Sequence, residues 1–200
     1  MRSLSACALA LSLLPCYIAA QETATDTTGF HAGQWGVQFG AGGSFGVANV
    51  GILRFSSPRS ALMLRLDFSG EFLSGTRTGV GVSEDQEERS VFAAAGLGKR
   101  FYQAARHNVR SFQSIGVFGS YQDQEQTIGA TAFRQNSWRA GLFGELGAGY
   151  WITPNLSLGG TASVSAGRAH LRREVGTDQV SENGWFVSGV DVVLVVGLYF

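Results

Sequence analysis

Apolar and polar positions alternate most regularly at the carboxyl end of the chain. Val190, Val192, Leu194, Val196, Leu198 and Phe200 fall on one face of an extended segment, and Gly189, Asp191, Val193, Val195, Gly197 and Tyr199 on the other. The run is rich in β-branched residues, and a helical period would bring Asp191 onto the apolar side. The pattern therefore predicts a strand about long enough to cross a bilayer.

The same period recurs through the rest of the chain. Trp35, Val37, Phe39, Ala41 and Phe45 share one parity, against Gly36, Gln38, Gly40, Gly42 and Ser44. Leu53 and Phe55 stand against Ile52 and Arg54, with the latter pair taken as inward. Leu62, Leu64, Leu66, Phe68 and Phe72 oppose Arg65, Asp67, Ser69 and Glu71, and Val91, Ala93, Ala95 and Leu97 oppose Phe92, Ala94, Gly96, Gly98 and Arg100. Ile115, Val117 and Tyr121 begin a fifth strand, Trp138 to Tyr150 a sixth and Leu156 to Ala166 a seventh, so the terminal segment is the eighth. Short turns are expected at Ser56–Arg59, Ala104–Asn108 and Thr153–Asn155, and longer polar loops at Ser74–Glu88, Gln122–Asn136 and Arg168–Gly184; the first upper loop, near Gly46 to Asn49, is brief.

Eight alternating strands, short turns at one end and long loops at the other predict an all-β fold, an antiparallel up-and-down transmembrane β-barrel. A soluble barrel of the lipocalin type alternates as well, but buries the apolar parity inside. Two features favour the membrane. Trp35, Trp138, Tyr150 and Phe200 stand near strand ends on the apolar parity, as interfacial aromatic girdles do, and the opposite parity is dominated by Gly and Ser, which suits a narrow lumen. Glycine, 28 of 200 residues, is about twice its usual share.

The amino end adds a third. Arg2, the apolar run Leu4 to Leu14 and the small residues up to Ala19 and Ala20 read as a secretory signal peptide over 1–20, cut before Gln21, followed by a polar periplasmic tail over 21–33 and the barrel over 34–200. Pro15 before Cys16 disfavours a lipoprotein signal. Cys7 and Cys16 both lie in the leader, so the exported chain carries neither disulfide nor thiol chemistry. Loss of Arg2 with the leader leaves fourteen basic against fifteen acidic residues, a balance that excludes nucleic acid as partner.

A terminal aromatic preceded by apolar residues at every second position resembles the carboxyl-terminal signature of bacterial outer-membrane barrels. The resemblance implies that Phe200, Leu198 and Val196 form an assembly signal for the barrel-assembly machinery. The expected chain as a whole resembles the small eight-stranded OmpX-like and OmpA-like barrels of Gram-negative outer membranes. That implies residence in the outer membrane, contact with its lipid and lipopolysaccharide, and a monomer. This architecture hosts adhesins, stability factors, resistance factors and some enzymes, so it does not by itself transfer a function.

With the apolar parity outward, Arg54, Arg65, Asp67, Glu71, Arg139, Glu145 and Asp191 all point inward and form a candidate lumen charge network. A lipid-facing Arg or Lys at mid-membrane costs about 2–4 kcal/mol, which explains a shared inward parity. Eight strands enclose a space that side chains fill, so these groups are expected to neutralise one another as a plug. A narrow small-solute channel is the alternative that so many inward glycines leave open.

Candidate chemistry is sparse. His31 falls in the tail, His107 in a turn and His170 near the outer rim on the apolar parity; Ser188, taken as sharing that parity, with Glu174 and Glu182 between, would make a Ser-His-acid set. Outer-membrane lipid A deacylases carry His-Xaa-Ser, whereas this chain reads His170-Leu171-Arg172, so the expected nucleophile is missing. Glu84, Asp85, Glu87 and Glu88 match no calcium-loop spacing and read as a solvated charged run. No catalytic residue, metal ligand or cofactor is therefore assigned. The expected function is that of a non-enzymatic surface barrel whose loops serve envelope stability, adhesion or resistance through a surface ligand, with a lipid-modifying hydrolase as the alternative.

Overall fold

The structure, a computed structural model, describes residues 30–42, 47–79, 82–104, 108–128, 131–176 and 178–200. The expected leader, Phe45 and His107 lie outside these residues. Eight strands run in chain order: β1 (Trp35–Gly42), β2 (Val47–Ser57), β3 (Ser60–Gly79), β4 (Val82–Tyr102), β5 (Val109–Ile128), β6 (Thr131–Thr153), β7 (Leu156–Val175) and β8 (Asp178–Tyr199). Each pairs antiparallel with its neighbours, and β1 pairs with β8 to close the barrel. No helix among the described residues is long and apolar enough to cross a membrane.

Closure fixes which parity faces outward. On β8 Val192, Leu194, Val196, Leu198 and Phe200 are exposed while Val193, Val195 and Tyr199 are buried, as the terminal alternation predicts. Trp35, Trp138 and Tyr150 are exposed on the same outer surface. The outside of the barrel is thus an apolar band bordered by aromatic rings, and no aqueous surface would leave so many large apolar side chains uncovered. At the closing seam Trp35 and Phe200 exchange both backbone hydrogen bonds, at 3.0 Å each.

Three expectations are corrected by the ladders. The segments expected as polar loops are strand: β3 pairs with β4 as far as Gly79 and Val82, β5 with β6 as far as Ile128 and Thr131, and β7 with β8 as far as Val175 and Asp178. Above the membrane both faces of a hairpin meet water, so the strand continues without any apolar period to announce it. On β2 the parity is the reverse of that expected, since Leu53 and Phe55 are fully buried and Arg54 is exposed. Finally, Phe30 is buried although it belongs to the polar tail, because it enters the barrel from the end that carries the termini.

Candidate functional site

The interior has three levels. At the termini end, the rings of Phe55 (β2), Tyr102 (β4), Phe112 (β5), Trp151 (β6) and Tyr199 (β8) converge from the wall, and Phe30 sits among them. Phe30 lies 4.1 Å from Phe55, 5.3 Å from Tyr102, 5.7 Å from Trp151 and 5.1 Å from Tyr199, centroid to centroid. These tilted and edge-on arrangements suit ring quadrupoles. The fully buried Arg110 places its guanidinium 4.7 Å from the Phe30 ring and reaches the Pro58 carbonyl at 3.4 Å.

Glycine makes room for these rings. A Cβ at Gly147 would collide with the Phe112 ring and stand 2.7 Å from the Gly160 carbonyl; one at Gly116 would collide with the Leu97 carbonyl and stand 2.6 Å from Phe143. At Gly147 and Gly116 the space that glycine opens on the inward parity is therefore filled by the rings of Phe112 and Phe143.

Above the rings lies an ionic layer. Glu145 on β6 accepts from Arg65 Nη1 at 2.9 Å through Oε1 and from Arg100 Nη2 at 3.0 Å through Oε2. Arg65 Nε also donates to both Asp67 oxygens, at 2.9 and 2.8 Å, and Asn49 donates to Asp67 at 3.0 Å. Arg100 donates further to Ser114 Oγ at 2.9 Å and to the Gln38 carbonyl oxygen, and its guanidinium lies 4.1 Å from the Phe112 ring. Gln38 in turn donates to the Tyr199 hydroxyl at 3.4 Å. The chain of contacts runs from β3 through β6 and β4 to β1 and β8, so it crosses the lumen and joins the aromatic level beneath. Two cations and two anions balance, and nearly every polar atom has a partner, which is the condition under which burying ions is tolerable.

The candidate lumen charges are distributed unevenly. Arg65, Asp67 and Glu145 meet one another, and Arg139 faces the lumen higher up, 5.5 Å from the Phe186 ring. Glu71 lines the same upper space without entering the ionic layer. Arg54 is corrected to the outer surface, 5.3 Å from the Trp35 ring at the lower interface. The side chain of Asp191 lies outside the described residues. Arg100 and Arg110, the two most deeply buried cations, are absent from the expected network; the signal for Arg100 is its place in the alternation with Gly96 and Gly98, and Arg110 shares the inward parity of Ser114.

The third level is a cup that opens at the end away from the termini, a cavity of about 700 Å³. Phe143 and the Arg65–Asp67 pair form its floor, and Phe92, Phe118 and Phe186 stand among serines in its wall. His170 and Ser188 do not meet. His170 is on the outer face, its Nδ1 2.8 Å from Asn183 Oδ1 and its ring 5.8 Å from Trp138. Ser188 lines the cup and hydrogen-bonds Ser165 at 2.8 Å between hydroxyls. A register shift between Ser163 and Ser165 changes the parity of β8, placing the two residues on opposite sides of the wall, so the expected Ser-His-acid set is not assembled.

No protein-family model matches the chain, and no curated protein matches it. Solved structures do. A major outer membrane protein from Thermus thermophilus matches with a TM-score of 0.57 at 16% identity, over 85% of this chain and 100% of that one. The outer membrane protein OprG from Pseudomonas aeruginosa matches with a TM-score of 0.56 at 12% identity, over 86% of this chain and 98% of that one. Closed topology and outer surface together define the class of fold: a small eight-stranded antiparallel β-barrel, the fold that these outer membrane proteins have.

Proposed function

We propose that the protein is a closed, non-enzymatic outer-membrane barrel that acts through its exterior end, where the cup and the three long hairpins meet lipopolysaccharide and ligands at the cell surface. The observation that carries this reading is the double closure beneath the cup, by the Arg65–Glu145–Arg100 bridge and by the ring cluster around Phe30. A binding surface needs rigid support from below, and a side-chain-filled eight-stranded barrel supplies it. The hairpin ends carry charges that pair locally, Arg134 with Asp123 at 3.3 Å and Arg172 with Glu174 at 2.9 Å, which shapes a polar rim for a surface ligand. Separation of His170 from Ser188 argues against the lipid hydrolase. Proteoliposomes carrying the barrel are expected to be no leakier to small sugars than empty ones, and lipid A from cells with and without it is expected to carry the same acyl chains. Rapid sugar entry, or a lost acyl chain, would contradict the reading.

A further inference from the structure

The cup carries two charges that the fold leaves uncommitted. At its floor Arg65 and Asp67 are paired, whereas Arg139 on β6 and Glu71 on β3 line the wall and form neither an ion pair nor a hydrogen bond among the described residues. Arg139 is braced, its guanidinium 5.5 Å from the centre of the Phe186 ring. Opposite charges share one cavity without meeting because the register keeps them on separate walls.

Ladder rows climb away from the termini as they pass from β1 to β8. The row through Gly40, Asn49, Asp67, Ala94, Ser120 and Arg139 reaches Gly184 on β8, whereas Gly40 itself pairs with Val195, nearer the carboxyl end. Arg139 thus shares a row with Asp67 but stands higher, since three strand spacings at a tilt of about 40° raise it by about 9 Å. Glu71 is four residues beyond Asp67 on β3, and that length of tilted strand raises it by about 10 Å. The two charges therefore stand at one height, on walls three strands apart in an eight-stranded ring, about 15 Å from backbone to backbone. The wall between them is continuous, with β4 and β5 paired to each other and to β3 and β6 through this height.

We infer that the cup binds a short zwitterionic peptide, its carboxylate on Arg139 and its ammonium on Glu71. Charges on separated walls match charges separated in the ligand: the ends of an extended dipeptide lie about 7 Å apart, whereas a free amino acid carries both on one carbon. A guanidinium takes a carboxylate through paired N–H donors, and the Glu71 carboxylate accepts from an ammonium. Ser120 pairs with Arg139 across the ladder and Ser90 with Glu71, and both serines line the cup, so a hydroxyl stands beside each charge for the amide groups of the peptide. Phe118 meets Phe186 edge to face at 6.0 Å, and this pair gives an apolar wall to the side chain next to the ligand carboxylate. A cavity of about 700 Å³ is of the size that holds such a ligand, and the ionic layer ends it below. This inference rests on the reading of the cup as the working end of the barrel; sugar leakage tests the closed lumen and peptide binding tests the cup, so the two can fail separately.

Isothermal titration calorimetry on the purified protein, refolded in detergent micelles, uses alanyl-phenylalanine as the probe. The wild type should bind it roughly tenfold more tightly than N-acetyl-alanyl-phenylalanine, alanyl-phenylalaninamide or free phenylalanine. Arg139→Gln should weaken the dipeptide about tenfold and leave the amide unchanged, and Glu71→Gln should weaken the dipeptide about tenfold and leave the acetylated form unchanged. Phe118→Ala should remove the advantage of alanyl-phenylalanine over alanyl-glycine. Arg54→Gln, on the outer surface, should alter none of these affinities. Heat-modifiable gel mobility confirms folding of each variant, and the blocked peptides test each charge on the wild type should a variant not fold. No heat of binding, equal affinity for the blocked forms or for free phenylalanine, or a loss in Glu71→Gln that falls equally on the acetylated form would each overturn the proposal.

Discussion

Arg100 on β4 and Glu145 on β6 meet inside the barrel at 3.0 Å, each side chain only 3% exposed. Neither could be buried alone. Their pairing, with Arg65 on the other carboxylate oxygen, lets the barrel hold ions behind a wall whose outer face carries Leu97, Ile115 and Leu146.

Replacement of Glu145 therefore destabilises the barrel although it removes a charge from a membrane protein. Glu145→Leu leaves Arg100 without its anion and is expected to cost about 3–5 kcal/mol in urea unfolding from lipid, with partial recovery when Arg100 is also replaced by Met. A single variant within about 0.5 kcal/mol of the wild type would mean that water reaches the layer.

The aromatic level makes a separate prediction. Phe30 contacts four rings and the Arg110 guanidinium, so Phe30→Ala should cost about 3 kcal/mol and red-shift Trp151 emission in a background where the other tryptophans are phenylalanine. A chain that starts at Phe30 should keep the wild-type stability, whereas one that starts at His31 should behave as Phe30→Ala.

Glycine positions should divide by what stands next to them. Gly116→Leu drives a side chain into Phe143 and the Leu97 carbonyl, and a loss of at least about 2–3 kcal/mol is expected; Gly119→Leu faces open space and should change stability little. Equal effects in unfolding experiments would show that the rings do not occupy the lumen as described.

Deletion of Phe200 separates assembly from stability. The residue is 68% exposed and its backbone pairs with Trp35, so refolding in vitro should lose no more than about 1–3 kcal/mol. The proposed role with Leu198 and Val196 as an assembly signal predicts a much larger loss of folded, heat-modifiable protein in cells. Matching losses in both settings would remove the signal role.

Much of this architecture is legible in the residues, and the exceptions have physical causes. β8 alternates cleanly because one side meets lipid and the other meets rings and glycine. β2 does not, since Ile52, Leu53 and Phe55 put apolar groups on both parities, and the inward one is revealed only by the ring cluster it joins. The parity of Ser188 is hidden by a bulge, which adds a residue without any compositional mark. Phe30 is an isolated ring in a polar tail, and no local period predicts its entry into the barrel. Arg65, Asp67 and Glu145 share a readable parity, but which cation meets which anion depends on register across strands far apart in the chain.

Single-channel conductance in planar bilayers tests the closed lumen most directly. The wild-type barrel should pass no steady current, and the combined variant Phe30→Ala, Arg100→Ala, Glu145→Ala, which opens both levels, should conduct if it folds, as its gel mobility will show. A steady wild-type conductance, unchanged by those substitutions, would contradict the account.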